Sequence, residues 1–247
     1  MGKIRLDQLI VARGLAASRE RAQALVIGNH VTVNGVAVTK AGTQVDDTAD
    51  VQLKTPDHPW VSRGGLKLVR ALEAFAIDVT GALALDIGAS TGGFTDVLLH
   101  HGAARVVAID VGHNQIDYKL RQDPRVVVRE GVNARYLTPA DLPEDARLFD
   151  IVTMDVSFIS LALILPVVPQ LLKPTGRVVA LVKPQFEAGR EDVGKGGIVR
   201  DPEIHQRVIA DVTRAAAEVG LNRLGLEPSP IEGAEGNREF LLCLALA

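Results

Sequence analysis

Apolar positions recur along the chain with two periods, and the switches between them mark out the elements. Leu6, Leu9 and Ile10 share one face of a helix that ends near Gly14. Ser18 then caps a second helix, with Arg19-Glu20-Arg21 in its first turn and Ala22, Leu25 and Val26 inward. Gly28 stands at its C′ position, where a left-handed residue commonly closes a helix. Residues 31–38, VTVNGVAV, alternate as two strands around Asn34-Gly35, the pair favoured in a type I′ hairpin turn. This first module closes near Leu53, and its expected extent is 1–54. The prolines of KTPDHPW make a semi-rigid joint, assigned to 55–61.

From residue 62 to 247 the period changes. Ser62 is placed to cap a helix carrying Leu66, Val69, Leu72 and Phe75 inward. Apolar strands follow at 82–88, 105–110, 126–131, 149–158 and 176–184. Helices are expected at 93–102, in the apolar stretch 161–172, and around 202–219. Strands alternating with helices specify a doubly wound parallel sheet of the α/β class. The final strand, 238–247, follows a loop and is free to run antiparallel.

Charge separates the modules further. The 247 residues carry a net charge of −3, so the whole chain is no electrostatic magnet. In residues 1–40, however, Lys3, Arg5, Arg13, Arg19, Arg21 and Lys40 are opposed only by Asp7 and Glu20, a local basic face suited to a polyanion. The one cysteine, Cys243, allows no disulfide within the chain and favours a reducing compartment. The opening MGKIRLDQLI is too polar for a secretory signal. The uncharged run 156–172 approaches spanning length but holds Pro166 and Pro169, which favours a core strand-loop-helix passage. The histidines show no ligand spacing, and no metal is expected.

The candidate chemistry lies at strand ends. LDIGASTGGFT, residues 85–95, leaves a strand, turns on Gly88, Gly92 and Gly93, and enters a helix. Its G-x-x-x-G-G spacing departs from the dinucleotide fingerprint. Asp86 is placed to accept from a ligand amine, and Asp110, ending the next strand, to bind ribose hydroxyls. Together they make S-adenosylmethionine the expected cofactor. Ligands of open α/β sheets sit beyond the carboxyl ends of the parallel strands. Lys183 ends its strand there, with Pro184 holding it extended, and Asp155 ends another. An antiparallel last strand would begin at the same rim, with Glu239. Lys67, near the start of the preceding helix, joins them. Such a set suits removal of a proton from a poor nucleophile such as a ribose 2′-hydroxyl. Lys183 is the expected base and Lys67 the expected stabiliser of the alkoxide, although sequence leaves open which lysine takes the proton.

Two resemblances sharpen these readings. Residues 3–53, with the Ser-Arg-x-x-Ala segment and the Val-x-Val-Asn-Gly turn, resemble the small RNA-binding domain of ribosomal small-subunit protein four, the alpha-L motif. The expected RNA contacts are Lys3, Arg5, Arg19, Arg21 and Lys40, with Arg63 beyond the joint. Residues 62–247 resemble the FtsJ-like RNA ribose methyltransferases, whose Lys-Asp-Lys-Glu set falls on Lys67, Asp155, Lys183 and Glu239. The two modules in this order are similar to the TlyA family, often labelled haemolysin A, through VSRGGLKL, DIGASTGGFTD, DVSFISL and KPQFEAGREDVGKGGIVRD. The resemblance implies a Rossmann-like class I methyltransferase fold: a mostly parallel seven-stranded sheet, last strand antiparallel, beside a small N-terminal α+β RNA-binding domain. It implies cofactor contacts at Asp86, Gly88, Ser90, Gly92, Gly93 and Phe94, at Asp110 and Val111, and at Asn133 and Ala134. It further implies cytidine 2′-O-methylation of ribosomal RNA, in the 16S or 23S species or both, with rRNA or ribosomal subunits as partners in the cytoplasm. A non-catalytic ribosome-assembly factor and a membrane-active haemolysin are the alternatives. Residues 189–201 read as a surface loop or as a lid over the target nucleotide, and the role of His113 stays open.

Overall fold

The structure, a computed structural model, describes residues 2–16, 18–54, 58–233 and 236–247. Residues 55–57 of the expected joint lie outside the described residues. The chain divides into two compact units, Met1–Pro59 and Trp60–Ala247.

In the first unit, β1 (Lys3–Arg5) pairs antiparallel with β4 (Gln44–Asp46). Helices α1 (Leu6–Ala12) and α2 (Arg19–Ile27) precede a three-stranded sheet of β2 (Val31–Val33), β3 (Val36–Ala37) and β5 (Val51–Leu53). Leu6, Leu9 and Ile10 of α1 pack with Ala22, Leu25 and Val26 of α2 over Val31 and Val51. Asn34 and Gly35 both take positive φ, 50° and 78°, as a type I′ turn requires. The Ser18 hydroxyl accepts from the Arg21 amide at 3.2 Å and caps α2. At the other end the expectation needs correction: Gly28 has φ −71°, and Asn29, at 61°, is the left-handed residue. Asparagine tolerates that region. Gly28 is small for a different reason, since a Cβ there would stand 2.9 Å from the His30 ring.

The second unit is built on a seven-stranded sheet in the order β11-β12-β10-β9-β6-β7-β8. Strands β6 (Leu83–Ile87), β7 (Arg105–Asp110), β8 (Val126–Glu130), β9 (Phe149–Met154) and β10 (Leu172–Val182) run parallel. β12 (Phe240–Leu246) is antiparallel and inserts between β10 and β11 (Leu221–Pro228). Strand side chains alternate between faces. Leu85, Ile87, Val152, Met154, Val178 and Ala180 therefore build one apolar layer, which α7 (Pro202–Glu218) covers with Val208 and Val212. Ala84, Ile151, Val179, Leu181 and Leu241 build the other, covered by α3 (Gly64–Ala74) and α4 (Gly93–His100).

Three local expectations change. The N-cap of α3 is Arg63, with no side-chain cap, and Ser62 serves only through its carbonyl, which accepts from the Gly65 amide. Leu68, Ala71 and Leu72 form the buried face of α3, while Leu66, Val69 and Phe75 are only partly buried. Residues 161–171 make three 3₁₀ turns, Leu161–Leu163, Leu165–Val167 and Pro169–Leu171, in place of a helix. Pro166 and Pro169 lack the N–H that an α-helical ladder needs there. Two short helices complete the unit, α5 (Tyr118–Arg121) and α6 (Pro184–Glu187). Among the described residues no helix is long and apolar enough to cross a membrane.

Candidate active site

The two-residue repeat of the strands explains how distant charges meet. On β9, Ile151 and Thr153 face α3 and α4, and Asp155 continues that parity just past the strand. On β10, Val179 and Leu181 do the same, and Lys183 follows. On reversed β12, Leu241 faces that side, and Glu239 precedes it. Lys67 lies on the buried face of α3, which packs on this same layer. The four expected residues thus reach one rim from one side of the sheet.

They form two ion pairs. Lys67 Nζ donates to Glu239 Oε2 at 2.5 Å, and both side chains are buried. Lys183 Nζ stands 2.6 Å from Asp155 Oδ1, close enough for strong Coulomb attraction but without hydrogen-bond alignment. Its hydrogen bond goes to Ser157 Oγ at 2.9 Å. The Phe186 ring centroid lies 5.9 Å away. Lys67, Asp155 and Lys183 line a cleft of about 330 Å³ together with Arg63, Gly88, Ser90, Gly93 and Phe94. Glu239 holds Lys67 from behind.

A second cavity of about 560 Å³ shares Gly88, Ser90, Asp155 and Ser157 with the first. Asp110, Val111, Asn133 and Ala134 line it. Its size falls in the range of small-ligand sites. Its lining combines the apolar side chains of Ile109, Val111 and Val132 with the Asp110 carboxylate. That mixture fits a nucleoside: apolar faces for a base and an acceptor for ribose hydroxyls. Asp110 also accepts from the amides of Ser90, at 2.8 Å, and Gly112, at 2.7 Å, and so fixes the turn beside it. The expected S-adenosylmethionine fits the chemistry of these residues.

Backbone geometry demands glycine at two points of the turn. Gly88 has φ +79°, and a Cβ there would meet the Asp155 carbonyl oxygen at 2.6 Å. Gly92, the N-cap of α4, has φ +94°, and a Cβ would stand 2.2 Å from Leu120 Cδ1. Gly92 lines neither cavity, so its part is to turn the chain.

Asp86 departs from expectation. It is fully buried and lines neither cavity. Its carboxylate accepts from Thr95 Oγ1 at 2.7 Å and Thr153 Oγ1 at 2.9 Å, which ties β6 to α4 and β9. Burial pushes this carboxyl up to about 6 against the two hydroxyls, and the nearby Asp155 charge adds to the rise. Asp86 therefore braces the turn where a ligand contact was expected.

The basic face of the first unit is less bare than the sequence implies. Arg5 and Arg19 both bond the buried Asp7 carboxylate, Arg5 at 2.8 and 3.0 Å and Arg19 at 3.1 Å. Gln23 adds a bond at 2.9 Å. Arg5 foremost holds this carboxyl well below the usual carboxylate range. One of the two acids counted there, Asp7, faces inward from its helix and collects both arginines. Arg21 lies beside His58, at 3.3 Å from Nε2. Lys3, Arg19 and Lys40 remain exposed in that unit, and Arg63 in the second.

Loop 189–201 is tied down. Asn237 accepts from the Val199 amide at 3.1 Å and donates to the Gly197 carbonyl at 2.9 Å, while His205 Nε2 lies 2.9 Å from the Val199 carbonyl. Sequence reasoning passed over Ser157 and Phe158. Phe158 is 90% exposed at φ +64°, with its ring centroid 5.0 Å from that of Phe186, at the mouth of the larger cavity. The only signal for either was a place directly after Asp155. Among the described residues no group of His, Cys, Asp or Glu is arranged to hold a metal ion.

Comparison with known proteins bears on both units. Residues 60–246 match the family model described as FtsJ-like methyltransferase, and residues 4–51 match the S4 domain. A Mycobacterium tuberculosis protein named 16S/23S rRNA (cytidine-2'-O)-methyltransferase TlyA is 48% identical over 98% of this chain and 90% of its own. Hemolysin A of Brachyspira hyodysenteriae is 42% identical over 96% of this chain and 98% of its own. A solved Streptococcus thermophilus structure, carried under a hemolysin label, superposes with a TM-score of 0.78 at 48% identity and covers 100% of this chain and 90% of that one.

Proposed function

Because the chain belongs to the FtsJ-like methyltransferase family, we propose that it methylates the ribose 2′-hydroxyl of cytidine in ribosomal RNA, with S-adenosylmethionine as cofactor. The observation that carries the reading is the pair of lysine–carboxylate contacts around a cleft that shares Gly88, Ser90, Asp155 and Ser157 with a nucleoside-sized cavity.

The cofactor supplies an electrophilic methyl group on a sulfonium. The residues of this chain do the rest. The Asp110 carboxylate and the apolar walls at Val111, Val132 and Ala134 hold the nucleoside end, with Asn133 beside them. Lys183 takes the hydroxyl proton as the oxygen attacks, acting as a general base. Asp155 then neutralises the ammonium that results. Lys67, held by Glu239, stabilises the charge that develops on the oxygen. Fixed placement of both reactants supplies much of the rate. Phe158, exposed at the cavity mouth, offers a flat apolar face to a base lifted from its stack.

The S4 domain supplies RNA affinity through Lys3 and Lys40, and through the exposed part of Arg19, with Arg5, Arg19 and Arg21 each in part committed within the unit. Arg63 lines the cleft itself and adds a phosphate contact at the reaction site. An enzyme with this substrate works in the cytoplasm.

The test is methyl transfer to isolated 30S and 50S subunits and to free rRNA, with the 2′-O-methyl positions mapped afterwards. Wild-type transfer to cytidine, reduced to a slow residual rate in Lys183→Ala, is the expected result. Transfer to a base in place of the sugar, or unimpaired transfer by Lys183→Ala, would refute the assignment. The mapping also reveals which subunit is modified.

A further inference from the structure

The geometry points to Ser157 as a positioning residue that aims the Lys183 amine at the substrate oxygen, a role distinct from that of the four charged residues. This inference rests on the reading of Lys183 as the base.

The argument begins with what holds Nζ in place. Lys183 ends β10 on an extended backbone, φ −111° and ψ 102°, with Pro184 next. The backbone fixes where the side chain starts, but four side-chain torsions separate the nitrogen from that anchor. Asp155 supplies the opposite charge at 2.6 Å, yet the contact lacks hydrogen-bond alignment. A Coulomb contact of that kind sets distance and leaves direction loose. Among the described residues the hydrogen bond of Lys183 Nζ is the one to Ser157 Oγ at 2.9 Å. Direction therefore comes from Ser157.

A hydroxyl suits this task better than a second carboxylate. The base cycles between ammonium and amine, and both forms retain N–H donors. Ser157 Oγ accepts from either, so the nitrogen keeps its place when it gains or loses a proton. The bond occupies one direction of the tetrahedral nitrogen, and the bond to Cε occupies another. The lone pair is thereby confined to the directions that remain, and Lys183 lines the cleft with Asp155 and Lys67. In the transfer step the 2′-O–H bond breaks and its proton forms the third N–H of Lys183. The oxygen pair forms the new O–C bond as the S–C bond breaks, leaving a neutral thioether. Ser157 gives up and gains no proton.

Ser157 also stands where the two cavities meet, lining both. A wall residue of the cofactor cavity would act on cofactor affinity; a residue that aims the base would act on turnover. The two roles separate in a kinetic experiment on the full-length protein with ribosomal subunits as substrate. Ser157→Ala, Ser157→Thr, Lys183→Ala and the double variant Ser157→Ala/Lys183→Ala are compared for kcat and KM. Cofactor binding is measured separately by equilibrium dialysis of labelled S-adenosylmethionine, and the fold by the fluorescence of Trp60.

The expected result for Ser157→Ala is a kcat lowered about 10- to 100-fold, the range of one hydrogen bond to a charged group, with cofactor Kd and RNA KM within about twofold of wild type on this reasoning. Ser157→Thr, which keeps the hydroxyl, recovers most of the turnover. The double variant is no slower than Lys183→Ala alone, because the serine acts only through the lysine. A Ser157→Ala enzyme with unchanged kcat and weakened cofactor binding overturns the inference and makes Ser157 a cavity wall. A double variant slower than Lys183→Ala also overturns it. Undiminished transfer by Lys183→Ala sinks the parent reading instead, an outcome distinct from either.

Discussion

Replacing Glu239 by glutamine tests whether the Lys67–Glu239 contact is a desolvated pair that holds the active-site rim together. The contact is 2.5 Å long, with side-chain exposures of 9% and 2%. Removing one partner of such a pair strands a buried charge, at a cost of about 3–5 kcal/mol. In a unit of this size, each kcal/mol lowers the melting temperature by about 2–4 °C, so Glu239→Gln is expected to melt roughly 6–20 °C below wild type. The chain's single tryptophan, Trp60, makes the assay selective. It is buried in the second unit, packed edge-on at 5.2 Å against His100, and its fluorescence reports that unit's unfolding. A companion variant isolates the cause. Lys67→Met/Glu239→Leu removes both charges and is expected to melt near wild type, since apolar replacement of a buried pair is often neutral or better. It stays inactive, because Lys67 has no substitute near the oxygen. A Glu239→Gln protein that melts within about 2 °C of wild type, less than one kcal/mol on that scale, would show that the pair is well solvated and the reasoning wrong.

Other tests address separate parts of the molecule. Asp7 has a folded pKa held below its unfolded value, so its stabilising contribution is complete above about pH 4 and fades as pH falls below that. Asp7→Asn should speed amide hydrogen exchange across α2 by about tenfold or more at pH 7 and flatten the acid dependence seen in wild type. Asp86 has the opposite sign. Its carboxyl is pushed up to about 6, so stability is greatest below about pH 4 and falls as pH rises toward 6. Asp86→Asn should abolish that decline in a pH series of Trp60 melting curves while weakening cofactor binding through a looser glycine turn. Gly92→Ala forces a side chain onto φ +94° and into Leu120, so labelled cofactor should fail to bind in equilibrium dialysis while the S4 domain still retains RNA in a filter assay.

The parts of this protein legible in its sequence are those fixed by local pattern. Asn34-Gly35 announces its turn because few residues take two positive φ angles in succession. The near-continuous apolar runs 149–154 and 178–182 mark strands buried on both faces, and the charges at 155 and 183 end those runs at the rim. Errors arose where the answer depends on what a residue meets in space. The run 161–171 is apolar enough for a helix, but its prolines break the ladder into separate turns. Asp86 looks like Asp110, since both lie at strand ends beside the glycine turn. Only the threonines on α4 and β9 reveal that one is internal. Asp7 appears as one acid among six basic residues, and nothing local says that it turns inward to collect two of them. Ser157 is invisible for the same reason: its partner lies 26 residues away.

The position of β12 also bears on how the protein matures. The strand that delivers Glu239 is an interior one, flanked by β10 and β11, and the lysine it meets lies 172 residues earlier. Contacts of such sequence separation form late, after the chain between them has been ordered. A partly folded molecule would hold the glycine turn while Lys67 still lacked its carboxylate. Competence for transfer is then acquired as the sheet closes, and catalytic onset after refolding serves as a clock for the slowest strand to dock.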